Sequence, residues 1–119
     1  MEEYIAVIDV ETTWTGALMT VGIIIADACN YKAVGYKYYI IKESMLEGGK
    51  FAHVVHVKGV EEESASRKKI GEKIMAFLIE YNVASVFAYN AGFDKNCMPF
   101  LENFAWHDIS KRFIGSFRY

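Results

Sequence analysis

The sequence predicts one α/β domain whose mixed sheet begins with an antiparallel meander of three strands, followed by a helix, a strand and a second helix. Three observations support this prediction. Three short apolar runs come first, apolar residues at helical spacing follow, and no repeat or linker divides the 119 residues. A chain of this length can bury one core and is too short for two domains, so residues 1–119 are expected to form a single domain.

The predicted meander comprises residues 4–10, 18–26 and 33–41. Each run is rich in β-branched, aromatic or other apolar residues, and the short links between the runs favour antiparallel neighbours. Residues 42–59 contain Gly48-Gly49 as a breaker and are predicted to be irregular.

Helical spacing begins after residue 64. One apolar stripe recurs at intervals of three or four residues and comprises Ile70, Ile74, Phe77, Leu78 and Tyr81. A fourth strand is predicted at residues 84–89.

The last third of the chain is predicted to hold a second helix over residues 91–104, a short strand at 105–107 and a final helix up to residue 117. Pro99 is unfavourable in a helix interior, so the second helix either kinks there or restarts with Pro99 in its first turn. Asp108 is expected to cap the final helix.

Net charge, cysteine content and hydropathy argue against several classes of protein. A net charge of −2 creates no global positive field for nucleic acid, although bound metal ions can supply positive charge at an enzyme site. Two cysteines make no disulfide framework, and no apolar run approaches the roughly 18 residues of a membrane span. The start of the chain lacks a basic signal region. We expect a cytoplasmic protein without a membrane partner.

Asp9 and Glu11 form the first candidate site. They lie two positions apart at the end of a predicted strand, so their side chains project from the same face. Two adjacent carboxylates repel each other, and either one takes up a proton or both share a cation. Mg²⁺ and Mn²⁺ prefer such oxygen ligands. The alternative is that Asp9 only ends the strand and Glu11 is solvated.

Asp94 forms the second candidate site. It lies one turn into the helix that follows the fourth strand, and ligands of open α/β sheets bind at this end of the strands. If the first and fourth strands are neighbours, Asp94 converges with Asp9 and Glu11. The alternative is that Asp94 is a favourable first-turn acid.

Two segments together resemble the DEDD family of 3′–5′ exonucleases. Residues 8–13, Ile-Asp-Val-Glu-Thr-Thr, are similar to the family's first motif, D-x-E-T, and residues 90–94, Asn-Ala-Gly-Phe-Asp, to its second, N-x-x-F-D. Residues 56–60 resemble the H-G-I segment before the first helix, and residues 106–109 resemble the W-x-D-[TI] step. The likeness covers nearly the whole chain.

The resemblance implies a ribonuclease H-like fold and hydrolysis of single-stranded DNA or RNA from its 3′ end. In this scheme two Mg²⁺ or Mn²⁺ ions about 4 Å apart clamp the scissile phosphate. Asp9 would bridge both ions, while Glu11 and Asp94 would help to hold them.

The resemblance also implies substrate-binding residues. Thr12 occupies the position that contacts the 3′-terminal nucleotide, and Asn90 and Phe93 brace the second motif. Trp14 either stacks on a terminal base or covers the end of the sheet.

The family's third motif, a His followed about five residues later by an Asp, has no counterpart, because residues 109–119 contain no His, Asp or Glu. We therefore expect a chain truncated before its C-terminal helix, with little or no hydrolysis and one bound metal ion or none. An alternative is a catalytically dead module that binds nucleic acid or another partner. Truncation could also expose apolar surface through which two copies form a homodimer.

The remaining polar clusters favour structural roles. His53 and His56 have the spacing of metal ligands but no third ligand nearby, which favours a loop role. Three basic groups, Arg67-Lys68-Lys69, Lys111-Arg112 and Arg118, are typical of solvated helix faces.

Overall fold

The computed structural model describes residues 3–89 and 91–109. Within these residues the strands are β1 (Tyr4–Thr12), β2 (Leu18–Asp27), β3 (Ala33–Ile41), β4 (Glu63–Ala65), β5 (Ser85–Ala88) and β6 (Ala105–Asp108). The α-helices are α1 (Lys42–Glu47), α2 (Arg67–Glu80) and α3 (Ala91–Cys97). Two single 3₁₀ turns lie at Ala52–Val54 and Pro99–Leu101.

All six strands form one mixed sheet in the order β4-β3-β2-β1-β5-β6. The β1–β2 and β2–β3 pairs are antiparallel, as the meander prediction requires. The β1–β5, β5–β6 and β3–β4 pairs are parallel. The α/β class and the meander are therefore confirmed, and β5 is the parallel neighbour of β1.

The two faces of the central strands differ in what they carry. On one face, here called the core face, Ala6, Ile8 and Val10 of β1 join a buried cluster with residues of β2 and of helix α2. On the opposite face, here called the acidic face, Val7, Asp9 and Glu11 alternate with them. Strand alternation thus separates the core from the carboxylates.

Helix α2 covers the core face through the predicted stripe. Its buried residues are Ile70, Ile74, Phe77 and Leu78, and Tyr81 is half-buried at the helix end. The helix begins because the Ser66 hydroxyl accepts a hydrogen bond of 3.3 Å from the Lys69 backbone N–H, which is an N-cap. Four buried apolar side chains then hold the helix on the sheet.

Three sequence predictions are corrected here. Residues 42–59 are not irregular throughout, because they contain α1 and the 3₁₀ turn at Ala52–Val54, and β4 follows before α2. The helix predicted over residues 91–104 ends at Cys97, and of the two alternatives for Pro99 the restart is confirmed, as a 3₁₀ turn in whose first turn a missing N–H is not needed. The short strand predicted at residues 105–107 is β6, so β4 is the strand that the sequence did not predict.

The predicted final helix, up to residue 117, lies outside the described residues. The capping of that helix by Asp108 therefore stays a prediction. In the described part of the chain, Asp108 Oδ1 accepts a hydrogen bond of 2.8 Å from the Ala91 backbone N–H, at the start of α3. Among residues 3–89 and 91–109, no helix is long and apolar enough to cross a membrane.

Candidate functional site

Strand β1 places Asp9 and Glu11 on the acidic face, with Val10 between them pointing into the core. Asp9 lies opposite Gly22 of β2 in the antiparallel register. The register shifts between Glu11 and Thr12, where the strand ends. The apolar residues on the other face of β1 anchor the strand, so the positions of both carboxylates follow from the core.

Helix α3 brings the third carboxylate to the same end of the sheet. Because β5 is parallel to β1, the chain leaves β5 at the end where β1 carries its carboxylates, and α3 starts there. Asp94, in the first turn of α3, is 6% exposed, and Asp108 at the end of β6 binds the first N–H of that helix. Two neighbouring parallel strands thus hold the helix that carries Asp94.

The pKa of Asp94 indicates how close the acidic groups are. Burial is the largest cause that raises the pKa of this carboxyl from 3.8 to about 7, and the charges of Asp9, Asp108 and Glu11 contribute to this rise in that order. A carboxyl feels such charges only at short range, because water and salt screen distant ones. The charges of Asp9, Glu11 and Asp108 therefore all act on Asp94, at the end of the sheet that β1, β5 and β6 share.

Asp9 and Glu11 are less enclosed than Asp94. Partial removal from water raises the pKa of Asp9, although its side chain stays accessible, and a hydrogen bond from the Val10 backbone opposes this effect. The pKa of Glu11 is raised by desolvation and then by the charge of Asp9. Each of these carboxyls is harder to ionise than a free one, which a bound cation would reverse.

The carboxylates do not form a finished metal cage. Within residues 3–89 and 91–109, no group of three or more His, Cys, Asp or Glu side chains is close enough together to hold a metal ion. His53 and His56, which have the spacing of metal ligands, are not part of such a group either. His56 Nδ1 contacts Glu62 Oε1 at 2.7 Å, and His53 is exposed. Any metal at the carboxylates would have to draw their side chains together.

Three of the predicted substrate-binding residues, Thr12, Trp14 and Phe93, belong to described elements around this end of the sheet. Thr12 is half-buried at the end of β1, Trp14 is 70% exposed, and Phe93 in α3 is 46% exposed. Asn90 lies outside the described residues. The exposure of Trp14 leaves its indole accessible to a ligand.

The loop after α1 packs tightly against the end of β1. A Cβ added to Gly49 would lie 2.5 Å from the Thr12 carbonyl oxygen, so only glycine permits this approach. The Trp14 backbone N–H donates to the Gly48 carbonyl at 3.2 Å. These contacts hold the segment around Thr12 and Trp14 beside the carboxylates.

Tyr36 and Asp108 belong to the site although the sequence reasoning did not place them there. The charge of Asp9 contributes to a raised pKa of the Tyr36 phenol, after burial. A Cβ added to Gly22 would lie 4.0 Å from the Tyr36 hydroxyl, so the tyrosine leans over the glycine opposite Asp9. The strand-end argument used for Asp94 could have found Asp108, which ends β6. Nothing in the local sequence marks Tyr36.

Two of the grooves in the described part of the chain differ in whether candidate carboxylates line them. The groove on the acidic face has a volume of about 480 Å³ and is lined by Asp9 and Glu11 together with apolar and aromatic residues. A larger groove of about 950 Å³ lies between α2 and the Pro99–Leu101 turn and contains none of the three carboxylates. Size alone therefore does not identify the functional site.

Comparison of the sequence with protein-family models and with curated proteins finds no match. The function is therefore inferred from the residues of the site.

Proposed function

We propose that this chain is a metal-dependent 3′–5′ exonuclease domain with a ribonuclease H-like fold, of the kind that hydrolyses phosphodiester bonds at the 3′ end of DNA or RNA. Because residues 109–119 contain no His, Asp or Glu that could act as the family's third motif, we expect hydrolysis by this chain alone to be weak or absent. The observation that supports this proposal is that two separate elements, β1 and α3, carry Asp9, Glu11 and Asp94 at the same end of the sheet. The charges of the first two contribute to a pKa of about 7 at the third. Mutual repulsion of this kind is what a divalent cation relieves.

The sheet supports the same proposal. The candidate first motif ends a central strand, and the candidate second motif opens the helix after that strand's parallel neighbour. The two motifs lie about 80 residues apart in the chain, and the topology brings them to one edge of the sheet. Ligands of open α/β sheets bind at such an edge, which supports a shared site.

Asp9, Glu11 and Asp94 would hold Mg²⁺ or Mn²⁺, since all three donors are the hard oxygens that these ions prefer. When bound, the ions would supply positive charge to the phosphodiester and lower the pKa of an attacking water. The protein's own part is to present ionised carboxylates, and Asp94 loses its proton in the metal-free protein only near pH 7. Thr12 and the exposed indole of Trp14 would position the terminal nucleotide.

A second candidate function is a module that keeps this fold and binds nucleic acid or another partner without hydrolysis. The observation that favours it is that the described part of the chain contains no preformed group of three metal ligands. The exonuclease and the module differ in whether a nucleic-acid strand is shortened, and in whether the three carboxylates are needed for that shortening.

Metal binding is tested by thermal unfolding with and without Mn²⁺. A ligand that binds only the folded state stabilises it by RT ln(1 + [L]/Kd), so saturating Mn²⁺ should raise Tm by several degrees. Asp94→Asn should abolish this rise. Glu80→Gln, which changes an exposed carboxylate at the end of α2, should leave it intact. An equal Mn²⁺ response in all three proteins would rule out the carboxylate site.

Hydrolysis is tested on a 5′-labelled single strand with Mn²⁺, using the same control. Shortening from the 3′ end that is lost on Asp9→Ala and kept in Glu80→Gln supports the exonuclease. Mn²⁺ binding without shortening supports the non-hydrolysing module instead.

A further inference from the structure

The groove on the acidic face extends from the carboxylates across the three strands of the meander. Its lining residues come from adjacent strands, with Asp9 and Glu11 in β1, Gly22 and Ile24 in β2, and Tyr36 in β3. Its volume of about 480 Å³ lies within the range of about 300–1,000 Å³ that is usual for ligand sites. One groove therefore joins the candidate metal ligands to a surface two strands away.

A glycine in β2 leaves space between the carboxylates and an exposed aromatic ring. Gly22 lies opposite Asp9 in the register, and a Cβ at this glycine would lie 4.0 Å from the Tyr36 hydroxyl. Tyr36 is 50% exposed. At this position β2 has no side chain to separate the Tyr36 ring from the Asp9 carboxylate. A flat ligand that lies against the ring can therefore extend to the carboxylates.

A second aromatic side chain reaches the groove from the loop after α1. Phe51 is 42% exposed and lines the groove together with Val54 and Val57. Strand β3 fixes this loop, because the Tyr38 hydroxyl donates a hydrogen bond of 2.6 Å to the Val55 carbonyl. The two exposed rings of the groove are therefore held by separate elements that the fold ties together.

The charges of the groove limit what it can bind. In the described part of the chain its lining residues include Asp9 and Glu11 but no Lys or Arg. Lys50 places one positive charge near the rim, with its Nζ 5.5 Å from the Phe51 ring centroid. Such a surface does not attract a row of phosphates, whereas aromatic rings stack on flat bases of any sequence. It fits a ligand whose flat groups adjoin an anion held by metal at the carboxylates.

We propose that this groove is a base-stacking subsite, in which Tyr36 and Phe51 hold the unpaired bases that adjoin the 3′-terminal nucleotide. This inference rests on the proposed function, because the carboxylates and their metal would hold the phosphate while the groove holds the bases. Bases inside a duplex are already stacked on their neighbours, so only an unpaired base offers its face to these rings. The subsite therefore suits single strands, whatever their sequence.

Binding of a short 5′-labelled DNA strand, measured by fluorescence anisotropy with Mn²⁺ present, tests the subsite. Phosphorothioate linkages at the 3′ end slow any hydrolysis. Tyr36→Leu and Phe51→Leu keep an apolar side chain but remove the ring, and each should weaken binding by about 5- to 100-fold. Phe100→Leu removes a ring that is 38% exposed in the larger groove and should bind as the wild type does. Undiminished binding by either groove variant, or no binding by the wild type, would overturn the proposal.

A strand that lacks bases separates stacking from other effects of the substitutions. Abasic residues at the second and third positions from the 3′ end should weaken binding to the wild type by a similar factor. They should hardly weaken binding to Tyr36→Leu any further, because the same contact has already been removed. Losses that multiply would show that Tyr36 does not contact these bases, and equal binding of both strands by the wild type would show that no base is held there.

Salt dependence gives an independent measurement. Because the described lining of the groove carries no Lys or Arg, the affinity for the strand should fall by less than about tenfold between about 50 and 200 mM salt. Proteins that make about 6–10 phosphate contacts lose roughly 10³- to 10⁵-fold over the same range. A loss steeper than tenfold would mean that phosphate contacts hold the strand, against the proposal.

The rise in Tm that Mn²⁺ causes in the wild type keeps this inference apart from the exonuclease proposal. If Mn²⁺ raises Tm and the groove variants bind the strand as tightly as the wild type, only the stacking subsite is wrong. If Mn²⁺ leaves Tm unchanged and strand binding still depends on both rings, the metal site is wrong and the base-stacking surface stands.

Discussion

The two faces of the same strands perform different tasks. On the core face, Ala6, Ile8 and Val10 are buried under α2, whereas on the acidic face Asp9 and Glu11 stand in a groove. One residue of alternation separates the two environments. The buried side of β1 therefore anchors the strand in the core, while its other side carries carboxylates that repel one another. Substitutions on the two faces should therefore differ in the size and in the sign of their effect on the free energy of unfolding.

The largest effect is expected on the core face. Ile74→Ala removes a fully buried side chain of α2 and should lower the free energy of unfolding by about 2–5 kcal/mol. On the acidic face, Val57→Ala shortens a side chain that is 49% exposed and should cost less than about 1 kcal/mol. Urea unfolding of both variants measures the difference. Similar losses would mean that the acidic face is as tightly packed as the core.

Asp94→Asn should have the next largest effect, and it should stabilise the protein. The pKa of Asp94 is about 7 in the folded protein and 3.8 ordinarily, so the folded state binds this proton more tightly than the unfolded chain does. The stabilisation that this proton gives the folded state is complete below pH 3.8 and is lost as the pH rises through about 7. At about 1.4 kcal/mol per pKa unit, Asp94→Asn can raise the free energy of unfolding by at most roughly 4 kcal/mol. We expect a gain of about 1–3 kcal/mol.

The measurement for Asp94→Asn is urea unfolding in EDTA at pH 8 and pH 4. The gain should be present at pH 8 and nearly absent at pH 4, where wild-type Asp94 is largely protonated. A gain of the same size at both pH values would show that ionisation of Asp94 is not its cause.

Asp108 should have a smaller effect because it both caps α3 and repels Asp94. Asp108→Ala removes the acceptor of the Ala91 N–H bond and should cost about 1 kcal/mol. Asp108→Asn keeps an acceptor for the Ala91 N–H, so the free energy of unfolding should change little. Because the charge is lost, the pKa of Asp94 should fall. NMR titration of the Asp94 carboxyl measures that shift. A pKa unchanged in Asp108→Asn would contradict the charge contribution.

The smallest effect is expected for the surface ion pair between Lys73 and Glu63, whose Nζ and Oε2 lie 2.5 Å apart. Both side chains are more than a third exposed, so water screens the attraction. Lys73→Gln should change the free energy of unfolding by less than about 0.5 kcal/mol in thermal or urea unfolding. A loss above 1 kcal/mol would mean that this pair fastens α2 to β4.

Much of the fold could be predicted because it depends on local periodicity. The meander strands and the α2 stripe agree with the structure, since alternation and helical spacing are written in consecutive residues. Short elements could not be predicted in this way. Helix α1 has six residues and β4 has three, and both form through contacts with the sheet rather than through a local pattern.

Part of the candidate site could likewise be predicted. The same-face placement of Asp9 and Glu11 follows from strand alternation, and the approach of Asp94 follows if β1 and β5 are neighbours, which they are. The capping role of Asp108 could not be predicted, because its partner Ala91 lies 17 residues away across a strand pair. Tyr36 near Asp9 depends likewise on the β2–β3 register and on the missing side chain at Gly22.

The sequence by itself determined which residues face the core and that two carboxylates share one side of β1, because both follow from the geometry of a single strand or helix. Only the tertiary structure decided that β5 pairs with β1, that Asp94 is buried among other acids, and that its pKa rises to about 7. The physical reason is that desolvation and charge repulsion depend on distances between residues far apart in the chain, and only the folded sheet sets those distances.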